Sequence, residues 1–228
     1  MPEYQRYAIY YTPPAGALAD FGARWLGWDM AGGKAMAHPL LDGLPEPLDE
    51  ITQTPRRYGF HATMKPPFRL SEGALAALQD GFASLCQNQP PVALEGITLA
   101  RLGRFLALVP CGASPALTHL AAACVRDLDA FRAPMSEEEL ERRRTARLSP
   151  EEEANLIRWG YPYVMEGFRW HMTLTGKLPK AQVLELEKVL HPHIAPLLEG
   201  SFFIDALSLV GEDAEGRFHL IDRQPLTG

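Results

Sequence analysis

Cysteine is scarce in this chain of 228 residues. Cys86, Cys111 and Cys124 are odd in number and stand at no metal-ligand or redox spacing, so they read as free thiols of a reducing compartment. Apolar runs long enough to cross a bilayer are missing too. The stretch Met1-Pro2-Glu3-Tyr4-Gln5-Arg6 lacks the basic-then-apolar profile of a signal peptide. A cytoplasmic protein with no membrane partner is the expectation. Positive charge is not in excess: 22 Lys and Arg face 28 Asp and Glu, a net charge of -6. That balance argues against sequence-independent binding of long nucleic acid. A small anionic ligand remains compatible, because a cleft sets its own local field. No Gly-rich phosphate loop or dinucleotide fingerprint occurs. His191-Pro192-His193 has no Cys or acidic cluster at ligand spacing to complete a metal site. Neither a metal nor a cofactor is expected.

What is present is a phrase that occurs twice. Phe60-His61-Ala62-Thr63-Met64 and Trp170-His171-Met172-Thr173-Leu174 both read aromatic-His-apolar-Thr-apolar, 110 residues apart. In a strand, residues two apart point to the same face. Each copy therefore sets an imidazole beside a hydroxyl on one face and buries its apolar neighbours on the other. One copy alone would read as a buried His satisfied by a nearby hydroxyl. Two copies, brought together, would offer two proton-transfer groups and two hydroxyl donors to one small anion.

The repetition extends beyond the histidines. After His61 come a turn, an apolar helix (about 72–86) and two strands (92–102 and 104–109). After His171 come a turn, a helix (about 180–190) and two strands (202–210 and 217–221). The last strand opens Gly103-Arg104-Phe105 in one half and Gly216-Arg217-Phe218 in the other. Matching element order predicts a duplicated strand-helix-hairpin unit. Tyr7 to Tyr11 supplies a further strand, ended by Pro13-Pro14, and Ser114-Pro115 opens another helix. The fold class predicted is α+β, with two antiparallel sheets related by pseudo-two-fold symmetry, walling a central cleft, and helices packed outside. A single domain over 1–228 is expected, with lobe elements at about 1–131 and 165–228. Residues 133–164 form a helical insertion opened by the capping boxes at Ser136-x-x-Glu139 and Ser149-Pro150-Glu151-Glu152.

Hydrolysis of a phosphodiester needs a group to take a proton from the nucleophile, one to protonate the departing oxygen, and donors for the phosphoryl oxygens. Two imidazoles suit the first tasks and two hydroxyls the third, without a metal. At this point the chain resembles the 2H phosphoesterases, named for their two His-x-Thr/Ser motifs. The phrases Tyr58-Gly59-Phe60-His61-Ala62-Thr63-Met64-Lys65-Pro66-Pro67-Phe68 and Trp159-Gly160-Tyr161-Pro162-Tyr163-Val164 resemble a bacterial subfamily described as phosphonate metabolism proteins (DUF1045-like). The resemblance implies a bilobal α+β fold, with catalytic positions at His61, Thr63, His171 and Thr173. It implies a phosphoesterase-type site without settling the substrate; the paired-His chemistry, which needs no metal, best suits a small cyclic or linear phosphodiester, a phosphorylated metabolite or cyclic-nucleotide-like molecule. A non-catalytic sensor of such a metabolite and an RNA-end-processing enzyme are the alternatives.

Around the motifs, Lys65 shares the parity of His61 and Thr63 and is a candidate for neutralising phosphate; the alternative is a solvated strand end. Arg56 and Tyr58 precede the first motif and could grip an anion. Arg169 shares the parity of His171, and Tyr163, with Tyr161, could stack on a base or sugar. Arg142, Arg143 and Arg144 read instead as an ion-paired helix, because Glu138 and Glu139 lie four residues before the first two.

Overall fold

Tyr7 to Tyr11 lies in a strand, β1 (Arg6–Tyr11), as its aromatic and β-branched content predicts. In the computed structural model, residues 4–144 and 147–228 are described. The first three residues of the expected domain and two of its insertion, 145 and 146, lie outside the described residues. Past Pro13-Pro14 comes α1 (Ala17–Leu26), which stops at Gly27 in the left-handed conformation. A small ribbon, β2 (Trp28–Asp29) and β3 (Lys34–Ala35), and two single-turn helices, α2 (Leu48–Ile51) and α3 (Gln53–Arg56), lead to the first motif. The first half then runs β4 (Ala62–Phe68), α4 (Leu75–Asn88), β5 (Val92–Leu94), β6 (Ile97–Leu102) and β7 (Phe105–Pro110). Ser114 caps α5 (Pro115–Asp127), accepting from the Leu117 amide. The insertion holds α6 (Glu137–Arg144) and α7 (Pro150–Trp159), both opened by the expected capping boxes. The second half supplies β8 (Met172–Thr173), α8 (Lys180–Ile194), β9 (Phe202–Ile204), β10 (Ala206–Glu212) and β11 (Phe218–Pro225).

The α+β class holds, but the expectation of two sheets is corrected. One seven-stranded antiparallel sheet runs β11-β10-β1-β4-β8-β7-β6. Its two parts are joined where β4 meets β8, at the single pair Ala62↔Met172. Ala62 follows His61 as Met172 follows His171, so equivalent residues face each other and the pseudo-two-fold passes between them. The predicted strands 92–102 and 202–210 both break, near Gly96 and at Asp205. Their first segments, β5 and β9, leave the main sheet and pair across the same axis, Val92↔Ile204 to Leu94↔Phe202.

The lobes also interleave instead of following the chain halves. The hairpin β6–β7 belongs to the first half by sequence, yet β7 pairs with the second motif through Ala107↔Thr173 and Leu108↔Met172. The hairpin β10–β11 belongs to the second half, yet it extends the first-motif side through β1. β8 thus takes its outer neighbour β7 from the other half, while β4 keeps β1 of its own half and the second-half hairpin is added beyond β1. This anchors both to one core, in which Ala62, Met64, Met172 and Leu174 meet Leu120 and Cys124 of α5 and Leu186 and Leu190 of α8. Each such leucine, fully buried, contributes about 1.5–3 kcal/mol. Helix α1 closes on the first motif so tightly that a Cβ on Gly22 would lie 1.9 Å from the Phe60 ring.

Pro66 and Pro67 sit inside β4, a position usually closed to proline. They are tolerated because β8 is only two residues long and pairs with β4 at one position alone. Beyond it the two strands part, leaving β4 without a ladder partner on that side. That parting opens the cleft.

Candidate active site

The register at Ala62↔Met172 decides the geometry. In an antiparallel pair the next residues out are also opposite, so His61 faces Thr173 and Thr63 faces His171. Each imidazole lies across from the hydroxyl of the other motif. Ala62 and Met172 are fully buried on the opposite face. All four polar side chains line one cavity of about 510 Å³.

Both histidines are held alike. The His61 Nδ1–H donates to the Gly59 carbonyl at 2.9 Å, and the His171 Nδ1–H donates to the Arg169 carbonyl at 2.8 Å. A carbonyl only accepts, so the proton of each neutral ring sits on Nδ1 and Nε2 keeps its lone pair. On His61 that lone pair accepts from the Thr63 hydroxyl at 3.1 Å. Gly59 has φ +70, and a Cβ there would be strained and would press Met30 Cβ at 2.9 Å. Only glycine comfortably aims that carbonyl at the ring.

The two rings differ in surroundings. Tyr10, fully buried on β1 and opposite Thr63, stacks on His61 with centroids 3.7 Å apart and planes 22° apart. Burial drives the His61 pKa down to about 4; the Gly59 carbonyl opposes this and the neighbouring His171 adds to it. His61 is therefore neutral at neutral pH. The same burial pushes the Tyr10 phenol well above its ordinary range, so it too stays uncharged. His171 has the looser contact, with the Phe105 ring 6.0 Å away.

Tyr58, Tyr163 and Arg169 line this cavity. Tyr58 lies 6.2 Å from His61, with its hydroxyl bonded by the Arg57 guanidinium. Arg169 donates only to the carbonyls of Glu166 and Phe168, at 2.9 and 2.7 Å, so its charge is not neutralised by a carboxylate among the described residues. The turn holding it contains Met165 at φ 53, a non-glycine left-handed residue of the sort found where a site imposes strain.

Two expected residues lie elsewhere. Lys65 is buried at 2% exposure, with Nζ donating to the Val125 carbonyl at 2.9 Å and to Asp129 Oδ1 at 3.2 Å. A register shift explains the error. Tyr10 pairs with Thr63 but Ile9 pairs with Lys65, so Met64 is the extra residue of a bulge and parity reverses after Thr63. Lys65 turns to the helix side and caps the carbonyl end of α5. Arg56 is a staple: its guanidinium donates to the carbonyls of Leu26 and Asp49, to Thr52 Oγ1 and to His38 Nε2.

Tyr161, named with Tyr163 from the sequence, lines the cavity as well. The sequence reading missed other lining residues: Tyr10, Arg6, Phe168 and Arg143 border the cavity, and Gly59 sets the ring of His61. His61 and Thr173 further border a smaller recess of about 220 Å³ walled by Phe105, Pro55 and Lys177. Chemically, this is a half-enclosed site with two imidazoles, two hydroxyl donors and uncompensated guanidinium charge, in a protein of net negative charge. Such a site favours an anion and can move protons.

Comparison with known proteins adds three findings. Two curated relatives, both named ribose 1,5-bisphosphate phosphokinase PhnN, are similar in sequence. That of Janthinobacterium sp. (strain Marseille) is 38% identical over 218 residues, 92% of this chain and 48% of the relative. That of Laribacter hongkongensis (strain HLHK9) is 37% identical over 182 residues, 78% of this chain and 42% of the relative. The chain thus spans about half the length of the curated relatives it matches. Among solved structures, E. coli LigT in apo form is similar over 99% of both chains, at TM-score 0.49 and 14% identity. E. coli LigT complexed with 3'-AMP gives TM-score 0.47 at 16% identity, over 99% of this chain and 100% of the other. Finally, residues 63–219, more than two-thirds of the chain, match one family model, and the protein belongs to that family, "Protein of unknown function (DUF1045)".

Proposed function

We propose that this protein is a phosphoesterase that hydrolyses a small phosphodiester by proton transfer between His61 and His171. The observation that carries the reading is the crossed register, which sets each imidazole opposite the other motif's threonine. His61, neutral because Tyr10 and the sheet desolvate it, starts as the base and takes a proton from water. The water oxygen bonds to phosphorus as the bond from phosphorus to the departing oxygen breaks. His171, entering protonated, gives its proton to that oxygen. Thr63, Thr173 and Arg169 donate to the phosphoryl oxygens. The product is a phosphomonoester plus a freed hydroxyl, and proton exchange with solvent resets the pair. A cyclic diester suits the enclosed cavity, since opening its ring releases no second fragment.

The relatives' name supports a sugar phosphate as the substrate class. Those proteins are about twice as long as the matched part, and this chain has no G-x-x-x-x-G-K-[S/T] loop with which to hold a nucleotide triphosphate. Kinase chemistry is therefore not the reading for this chain. Ring opening of a 1,2-cyclic phosphate on a 5-phosphorylated ribose would yield a ribose bisphosphate, the class of compound that the relatives' name prints.

Phosphorus NMR tests the reading with ribose 1,2-cyclic phosphate, its 5-phosphate, and a nucleoside 2',3'-cyclic phosphate. Turnover of at least one is expected. His61→Ala and His171→Ala should each lower the rate about 10²- to 10⁴-fold, the usual size of an acid–base contribution. Both should keep product binding, which a mere sensor of the ligand would lose. No turnover on any compound overturns the proposal.

A further inference from the structure

The three arginines of α6 do not share one role. Arg144 pairs with Glu153 of α7 at 2.6 Å. Glu139, the helical neighbour expected to neutralise Arg143, is taken instead by Arg69 at 2.9 Å and by the Ser136 amide at 3.2 Å. Arg143 is left with no ion pair among the described residues, and its buried Nε finds no acceptor there. Its guanidinium lies 5.1 Å from the centroid of the Tyr161 ring, and both side chains border the cavity. Burial disfavours the charge of Arg143; Tyr161 and the more distant pull of Glu139 oppose this, and the neighbouring Arg142 and Arg6 repel it. Arg6 is itself neutralised by Glu212 through two hydrogen bonds. The uncompensated charge at this end is therefore that of Arg143. A partly desolvated cation without a partner is unfavourable until an anion arrives.

Its place is as informative as its charge. Arg143 also borders a neighbouring recess with Pro67 and Gly160, which neither motif histidine lines. β4 lines the same cavity with Thr63, Met64, Pro66 and Pro67, and Pro67 also borders the recess of Arg143. From Thr63 to Pro66 the strand covers roughly 10 Å at its usual rise. One cavity thus holds two separate cationic stations, Arg169 beside His171 and Arg143 on the insertion.

We propose that Arg143, stacked on Tyr161, forms a second anion subsite, which takes a terminal phosphomonoester while the His–Thr pairs hold the diester. The ligand class is a small sugar with phosphoryl groups at both ends. Recognition of the terminal group is what the unsymmetrical insertion adds to the symmetric site. The proposal deepens the phosphoesterase reading and rests on it for the role of the opposite end.

Calorimetry tests the subsite without turnover, with ribose 5-phosphate as the probe. Arg143→Ala should weaken its binding about 10- to 100-fold, the usual worth of a charge-assisted pair, and Arg143→Lys should recover part of that. Alanine is a good helix former, so α6 should survive the change. His61→Ala should bind the probe within about 3-fold of wild type, since a residue distant from the phosphate carries little of its binding. Equal binding by wild type and Arg143→Ala overturns the proposal, as does loss of binding confined to the histidine variant. Where ribose 1,2-cyclic phosphate and its 5-phosphate are turned over, Arg143→Ala should raise KM only for the second. If none of the three cyclic phosphates is turned over, the phosphoesterase reading fails while the calorimetry still decides the subsite.

Discussion

The neutral state of His61 has a measurable effect on stability. Its pKa falls from 6.5 to about 4 because Tyr10 covers one face of the ring and the sheet excludes water from much of the rest. In the unfolded chain the ring protonates near 6.5, so between about pH 6.5 and 4 the unfolded state binds the extra proton and the folded state does not. Stability from this group is therefore complete above pH 6.5 and is lost as pH falls toward 4. At ~1.4 kcal/mol per tenfold, and allowing for the ring's partial exposure, the loss is about 2–3 kcal/mol. His61→Phe keeps a ring against Tyr10 but cannot take up a proton. Urea unfolding of both proteins at about pH 7 and about pH 4.5 should show wild type losing that much more than the variant, after the carboxylate titrations common to both cancel. The imidazole resonances should confirm the cause, with His61 titrating near 4. In Tyr10→Ser, which opens the stacked face to water, the midpoint should climb back toward 6.5. A His61 midpoint near 6.5 in wild type, or the same acid loss in His61→Phe, would refute the argument and remove the reason for naming His61 the base.

Four further outcomes follow from particular contacts. Lys65→Met should lower stability by about 2–4 kcal/mol, short of the full cost of breaking a buried pair because Arg132 still bonds Asp129; in a thermal melt it should stand out while kcat changes less than about 3-fold, and a large loss of kcat would return Lys65 to the site. Arg56→Ala should behave likewise, with about 2–3 kcal/mol lost from its several hydrogen bonds and catalysis nearly intact. Thr63→Val removes the donor to His61 Nε2 and a phosphoryl contact, and kcat should drop about 10- to 100-fold with serine restoring most of it. Activity in a chelator should equal that in buffer; its loss would sink the two-histidine mechanism.

The sequence made the motif pair and the element order legible because both are local. Alternation sets His61 beside Thr63, and the capping boxes at Ser136 and Ser149 announce helices regardless of what surrounds them. It hid what depends on pairing between distant segments. Lys65 has the right parity by counting, and only the register of β1 against β4 shows the bulge that turns it away. Glu139 has the right spacing for Arg143, and only the approach of Arg69, far off in sequence, shows that it is already engaged. The exchange of hairpins between halves is invisible for the same reason, since each half would look complete if it folded on itself.

That exchange also bears on the site's chemistry. Because β7 flanks β8 and β1 flanks β4, the two motif strands meet different neighbours even though their own sequences match. β1 supplies Tyr10, which stacks on His61, whereas β7 supplies Phe105, farther from His171 and set at 54° to it. A duplicated motif on truly equivalent strands would give two imidazoles of equal basicity, each as ready as the other to be base or acid. General acid–base catalysis needs one ring neutral while the other is charged. The asymmetry that allows this comes from the strands beside the motifs. Exchanging the two flanking contacts, with Tyr10→Phe and Phe105→Tyr together, should therefore alter His61 little, because the desolvating ring remains. Tyr10→Ser should lower kcat and move the acidic limb of the pH–rate profile upward, as His61 becomes protonated over a wider range. An unchanged acidic limb in Tyr10→Ser would place the source of the asymmetry somewhere other than this stacked ring.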